Sequence, residues 1–76
     1  MKEVLEYIAR ALVEDPDAVE VTAVEGERGQ VLELRVAPDD MGKVIGKRGR
    51  MARAIRSVVR AAGTRQGTST LVEIVD

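Results

Sequence analysis

Apolar side chains recur along this chain with two alternating periods, and each change of period marks a boundary. Val4, Leu5, Ile8 and Leu12 fall at i, i+1, i+4 and i+8, one stripe of a 3.6-residue repeat, with Lys2, Glu3, Glu6 and Arg10 elsewhere. The spacing predicts an amphipathic helix over residues 2–14. Asp15-Pro16-Asp17 ends it, because proline drives the preceding residue out of the α region and brings no N–H to the ladder. Residues 18–25 then alternate, with Val19, Val21 and Ala23 on one side and Glu20 and Thr22 on the other. Beyond a polar turn bracketed by Gly26 and Gly29, Leu32, Leu34 and Val36 alternate with Glu33 and Arg35, so residues 18–37 predict a β-hairpin.

Pro38 closes the second strand, and Asp39-Asp40 offers an N-cap to a short helix with Met41, Val44 and Ile45 inward. Gly46-Lys47-Arg48-Gly49 interrupts that helix. From Arg50 to Ala62, the side chains of Met51, Ile55, Val58, Val59 and Ala62 share one apolar arc, with Arg53, Arg56 and Arg60 opposite and Gly63 as the C-terminal stop. A polar link over 64–68 leads to a β-branched strand over 69–75, carrying Leu71, Val72, Ile74 and Val75. The order is α-β-β-α-α-β. A two-helix crossover lets the second and third strands run parallel, whereas the hairpin makes the first two antiparallel. The expected fold class is α+β, three helices on one face of a mixed three-stranded sheet, with Glu20, Thr22, Glu33 and Arg35 on the open face.

Composition narrows the chemistry. At 76 residues the chain makes one domain, 1–76, and a domain that short buries only about 60% of its unfolded surface, too little for a deep enzyme cleft. With no cysteine and no histidine, thiolate chemistry, the commonest metal ligand and the usual general base are all missing. The expectation is a protein that is not an enzyme and needs neither metal nor cofactor. No apolar run approaches the ~18 residues of a membrane span and no signal-peptide pattern opens the chain, so a cytoplasmic, membrane-free protein is expected.

Charge changes the picture further. The formal net charge is −1, yet residues 1–40 carry −7, residues 41–65 carry +8 without a single acid, and residues 66–76 carry −2. Lys43, Lys47, Arg48, Arg50, Arg53, Arg56, Arg60 and Arg65 form this basic segment, the footprint expected of a polyanion binder. Its centre is Gly46-Lys47-Arg48-Gly49. Glycine at both ends permits a sharp turn and close approach of another backbone, the two cations project from the tip, and the amides opening the next helix add partial positive charge. A phosphate backbone can lie across such a loop. A P-loop is excluded, since Gly42 to Gly46 is one residue too short and Arg48 stands where Ser or Thr must hold magnesium.

The run Val44-Ile45-Gly46-Lys47-Arg48-Gly49-Arg50, in this order of elements, resembles the KH domain of type II topology, whose signature is I-G-x-x-G between two helices. Residues 14–21 (Glu-Asp-Pro-Asp-Ala-Val-Glu-Val), Val36-Ala37-Pro38-Asp39-Asp40 and the closing Glu73-Ile74-Val75-Asp76 resemble, within that class, the small bacterial single-KH proteins of the KhpA family. The resemblance covers essentially the whole chain. It implies that Gly46, Lys47, Arg48 and Gly49 clamp the backbone of about four nucleotides of single-stranded RNA. Lys43, Arg50 and Arg53 would assist, and bases would rest on the aliphatic side chains of Val44, Ile45 and Ile55. Ala52 departs from the pattern, since many KH domains carry a larger aliphatic residue there. The resemblance also implies a post-transcriptional regulator or RNA chaperone, a homodimer, and pairing with a KH protein of the Jag (KhpB) family, linked in some bacteria to cell elongation and wall synthesis. Tyr7, the lone aromatic residue, leaves no platform of rings for stacking bases. A rival reading is an interaction or scaffold protein; a helix-turn-helix DNA binder is disfavoured by the flanking strands and the doubled glycine.

Overall fold

Pro16 and Pro38 each open a single 3₁₀ turn, Pro16–Ala18 and Pro38–Asp40, and these turns separate the elements that the two periods define. The computed structural model describes residues 1–75 and orders them as α1 (Lys2–Leu12), β1 (Glu20–Gly26), β2 (Gly29–Arg35), α2 (Met41–Ile45), α3 (Arg50–Arg65) and β3 (Thr70–Ile74). Asp76, the last residue of the closing motif, lies outside the described residues.

The sheet runs β1-β2-β3. β1 and β2 are antiparallel, with Glu20 opposite Arg35 and Gly26 opposite Gly29, so the hairpin turn is Glu27-Arg28 alone. β2 and β3 are parallel, with Gln30 opposite Thr70 and Leu34 opposite Ile74. Gly29 has φ +136°, and a Cβ there would run into the Ser69 carbonyl, which explains glycine where β3 begins beside the hairpin. Leu32 and Leu34 turn to the helical layer and meet Leu5 and Ala9 of α1, Val44 of α2, and Ile55 and Val59 of α3, with Val19, Val21 and Val72 completing the core. Leu32 and Leu34 are fully buried, and each such side chain contributes roughly 1.5–3 kcal/mol by leaving water. On the other face Val24 and Leu71 stay exposed, as do Glu20, Thr22 and Glu73.

Several local expectations are corrected. α1 stops at Leu12, because Val13 is already extended (φ −93°, ψ 161°). Gly63 does not stop α3: the helix continues to Arg65, and Gly63 is buried inside it, where a Cβ would lie 2.6 Å from Thr70 Oγ1. Ala23 is exposed, and Ile45, expected inward, is 38% exposed because a helix of five residues has only one side to bury and Val44 takes it. Asp40 precedes α2 but makes no side-chain cap; its carboxylate points elsewhere.

Candidate nucleic-acid interface

The loop between α2 and α3 is built from backbone conformations that side chains resist. Gly46 has φ 74° and ψ 173°, and Gly49 has φ 73° and ψ 15°. At Gly46 a Cβ would lie 2.8 Å from Met51 Cβ and 2.9 Å from the Met51 amide nitrogen, so the loop folds directly onto the first turn of α3. Arg48 sits between them at φ 58°, ψ 25°, the one non-glycine residue with positive φ among the described residues. Such a conformation is held against a cost of about 1–2 kcal/mol. The hold is visible: Arg53 Nη1 donates to the Arg48 carbonyl at 3.0 Å, and the Gly49 amide donates to the Gly46 carbonyl at 3.2 Å. The side chains of Lys47 and Arg48 are thereby thrown outward, and Lys47, Arg48 and Arg50 are all exposed.

A buried carboxylate fixes the other end of α2. Asp40 is 3% exposed and accepts from the amides of Glu14 (3.2 Å) and Asp15 (3.1 Å), tying the chain just after α1 to the start of α2. Lys43 Nζ lies 3.2 Å from Asp40 Oδ1 and 3.1 Å from Glu14 Oε1. Burial alone would raise the Asp40 carboxyl, but the two amides and the Lys43 ammonium together outweigh it and hold the group below its ordinary pKa. Hydrogen bonds to Glu14 and then Asp40 raise the Lys43 ammonium above its own. Lys43 therefore serves this cluster while remaining exposed at the surface.

α3 presents three different faces. Ala52, Ile55, Val59 and Gly63 are buried against the sheet. Arg53, Arg56 and Arg60 lie on one flank, following from Gly49 at about 100° per residue. Ala54, Val58 and Ala61 point outward, with Val58 52% exposed. The basic flank faces β3, because Arg56 Nε donates to the Val72 carbonyl at 3.2 Å. Gly63 meets Thr70 and Arg56 meets Val72, so α3 runs antiparallel to β3 and its first turn lies toward Ile74. Among the described residues no closed pocket forms, and a ligand would lie on an open surface. Of the aliphatic residues expected to support bases, Val44 and Ile55 are buried in the core and Ile45 is exposed; Met51, against the loop, is half-buried.

A family model described as KhpA/KhpB, KH domain matches residues 2–74, from the first residue of α1 to the last of β3. The chain belongs to this family. Its type II KH fold is the order of elements and mixed sheet described above. Among its relatives, the RNA-binding protein KhpA of Clostridium acetobutylicum is 55% identical over 99% of this chain and 100% of its own length. Those of Caldanaerobacter subterraneus (52%, 99% of this chain and 100% of its own) and Halalkalibacterium halodurans (51%, 100% of both) are comparably similar. A crystal structure of Aquifex aeolicus Era superposes with TM-score 0.66 at 21% identity, over 96% of this chain and 28% of that one, a likeness of fold.

Within this KH domain, sequence reasoning grouped the loop glycines and cations as the structure does, but it missed two residues. Asp40 was read as a helix cap, and only its burial beside the amides of Glu14 and Asp15 shows otherwise. Arg56 was grouped with Arg53 and Arg60 opposite the apolar arc, with nothing to set it apart. A signal was present in the small residues Ala52 and Gly63, which let α3 approach the sheet and turn Arg56 toward β3.

Proposed function

We propose that this KhpA/KhpB-family KH domain binds single-stranded RNA, with the sugar-phosphate backbone held on Gly46-Lys47-Arg48-Gly49 and the bases directed along the flank of α3 toward β3. The observation that carries this reading is the loop itself: strained backbone held by Arg53, closely packed on Met51, and presenting Lys47 and Arg48 outward without an acidic partner among the described residues. Outlying backbone kept in place by specific contacts is how binding loops are preorganised. The amides at the start of the 16-residue helix α3 add partial positive charge at the same place. The relatives' shared name, RNA-binding protein KhpA, supports the ligand class. With aliphatic Ile45 and Met51 at the loop and Tyr7 of α1 the single ring in the chain, base contacts here are apolar packing rather than stacking.

On this reading the protein is a cytoplasmic binding module rather than an enzyme, a post-transcriptional regulator or RNA chaperone. It acts as a homodimer or with a partner KH protein of the Jag (KhpB) family. No helix among the described residues is long and apolar enough to cross a membrane.

Fluorescence anisotropy with a labelled single-stranded RNA pool, alongside duplex DNA, tests the reading on the parent and on Lys47→Asp/Arg48→Asp. The parent should bind the single strands in preference to the duplex. The double variant should keep the parent's circular dichroism and melting temperature and lose RNA binding. A double variant that binds like the parent would remove the loop from the site.

A further inference from the structure

Arg56 is held in a way that simple electrostatic support does not require. It is half-buried, its Nε is spent on the Val72 carbonyl at 3.2 Å, and no acidic side chain among the described residues pairs with it. The Gln30 amide donates to Ser69 and the Val75 amide to Leu34, both at 2.9 Å. In a parallel ladder with this register, the odd-numbered residues of β3 turn their backbone groups to β2. Thr70, Val72 and Ile74 present theirs to the open edge, and Arg56 reaches that edge from α3. Its guanidinium thus bridges the space between helix and strand, about 10 Å along the helix axis from Gly49.

We infer that Arg56 is a base-reading residue: anchored through Nε, it offers its Nη1/Nη2 end to a base carrying two adjacent hydrogen-bond acceptors. The inference rests on the RNA reading above and adds the base class to it. An anchored planar fork loses little further freedom on binding, which is why arginine rather than lysine suits two-point recognition. Guanine meets the fork with O6 and N7, and cytosine with O2 and N3. Adenine sets a donor amino group beside N7, and uracil places its N3–H between two carbonyls, so each leaves one N–H facing a donor. RNA gripped at the loop and running along the basic flank of α3 would bring one base to this position.

Selection of enriched sequences from a random single-stranded RNA pool, with the parent and with Arg56→Lys, tests the inference. The parent should enrich guanine or cytosine at one position. Arg56→Lys keeps the charge but not the fork, so the affinity ratio of the enriched base over the others should fall about tenfold or more at that position, while the preferences at the other positions of the selected sequence stay as in the parent. A second arm leaves the protein untouched: 7-deazaguanine, or 3-deazacytosine if cytosine is the enriched base, should weaken binding comparably and identify which base is read. Enrichment of adenine or uracil, no enrichment, or a preference unchanged by both the lysine variant and the deaza base would overturn it. Failure of the parent to bind any single-stranded RNA would instead overturn the RNA reading beneath it.

Discussion

Gly46 and Gly49 share a positive φ, but a side chain would meet different surroundings at each. At Gly46 the combination of φ 74° and ψ 173° is a region that only glycine occupies freely, and the added Cβ would strike Met51. Gly49 lies in the left-handed region, and its Cβ would find only Arg53 Nη1 at 3.6 Å, an ordinary contact. Gly46→Ala should therefore destabilise by about 2–4 kcal/mol and displace the loop, whereas Gly49→Ala should cost about 1–2 kcal/mol with the loop kept. Urea denaturation of the two variants checks the ranking, and equal losses would argue against the close Gly46–Met51 packing. Asp40 gives a residue-scale prediction of a different kind. Its carboxyl pKa is lower in the folded chain than in the unfolded one, so its stabilisation is complete above the unfolded pKa and disappears as pH falls through the folded value. The penalty of Asp40→Asn, read as a shift in urea midpoint, should be largest near neutrality and shrink as pH drops through the acid range. Lys43, raised above its ordinary value, also stabilises but with the opposite pH dependence, its contribution being complete below the unfolded pKa and lost only at strongly alkaline pH.

At the scale of elements, α3 shows where a pattern of apolar residues misleads. Met51, Ile55, Val58, Val59 and Ala62 centre an arc that is rotated from the buried face, because the period weighs large side chains and ignores small ones. The buried face is Ala52, Ile55, Val59 and Gly63, turned by about 50–60° from that arc at 100° per residue. Ala52 and Gly63 are buried because they are small enough for the helix backbone to sit close to β3. Glycine within a helix normally costs about 1 kcal/mol relative to alanine, and Gly63 is retained against that cost by Thr70 Oγ1 and the Thr68 carbonyl. Gly63→Ala should thus destabilise rather than stabilise, despite the better propensity. Pairing it with Thr70→Ala, which removes a buried hydroxyl lacking a hydrogen-bond partner among the described residues, should recover part of the loss. A thermal-melt double-mutant cycle measures this coupling, and additive effects would contradict the contact. By contrast, the hairpin, the parallel crossover and the loop between α2 and α3 were legible, since alternation, proline and paired glycines mark them locally. The orientation of α2 was not, as five residues complete barely more than one helical turn.

For the whole molecule, the distribution of charge matters more than the net −1. Lys43 is shared with Asp40 and Glu14, so the loop and the α3 flank carry the cations of this segment that have no acidic partner among the described residues, and few phosphates can be engaged at once. With about three neutralised on a single strand, a fourfold rise in salt should weaken RNA binding roughly 20-fold, and an affinity indifferent to salt would contradict the electrostatic grip. A site this small gains most from being doubled, since joining two sites raises avidity without any new contact. α3 carries a surface suited to that. Of the apolar residues near its end, Val59 is fully buried and Ala62 half-buried, whereas Val58 and Ala61 are exposed and line up with Ala54 in one outward row. These fall at i, i+4 and i+7 on one line of the helix, away from the arginine flank, so a second copy docked there would leave the RNA surface open. Ala61→Glu should lower the mass seen by sedimentation equilibrium from dimer to monomer. It should leave affinity for an RNA holding one site unchanged and weaken binding to an RNA with two sites by tenfold or more. A parent protein that sediments as a monomer, or an Ala61→Glu variant that remains a dimer, would dismiss this face as the interface.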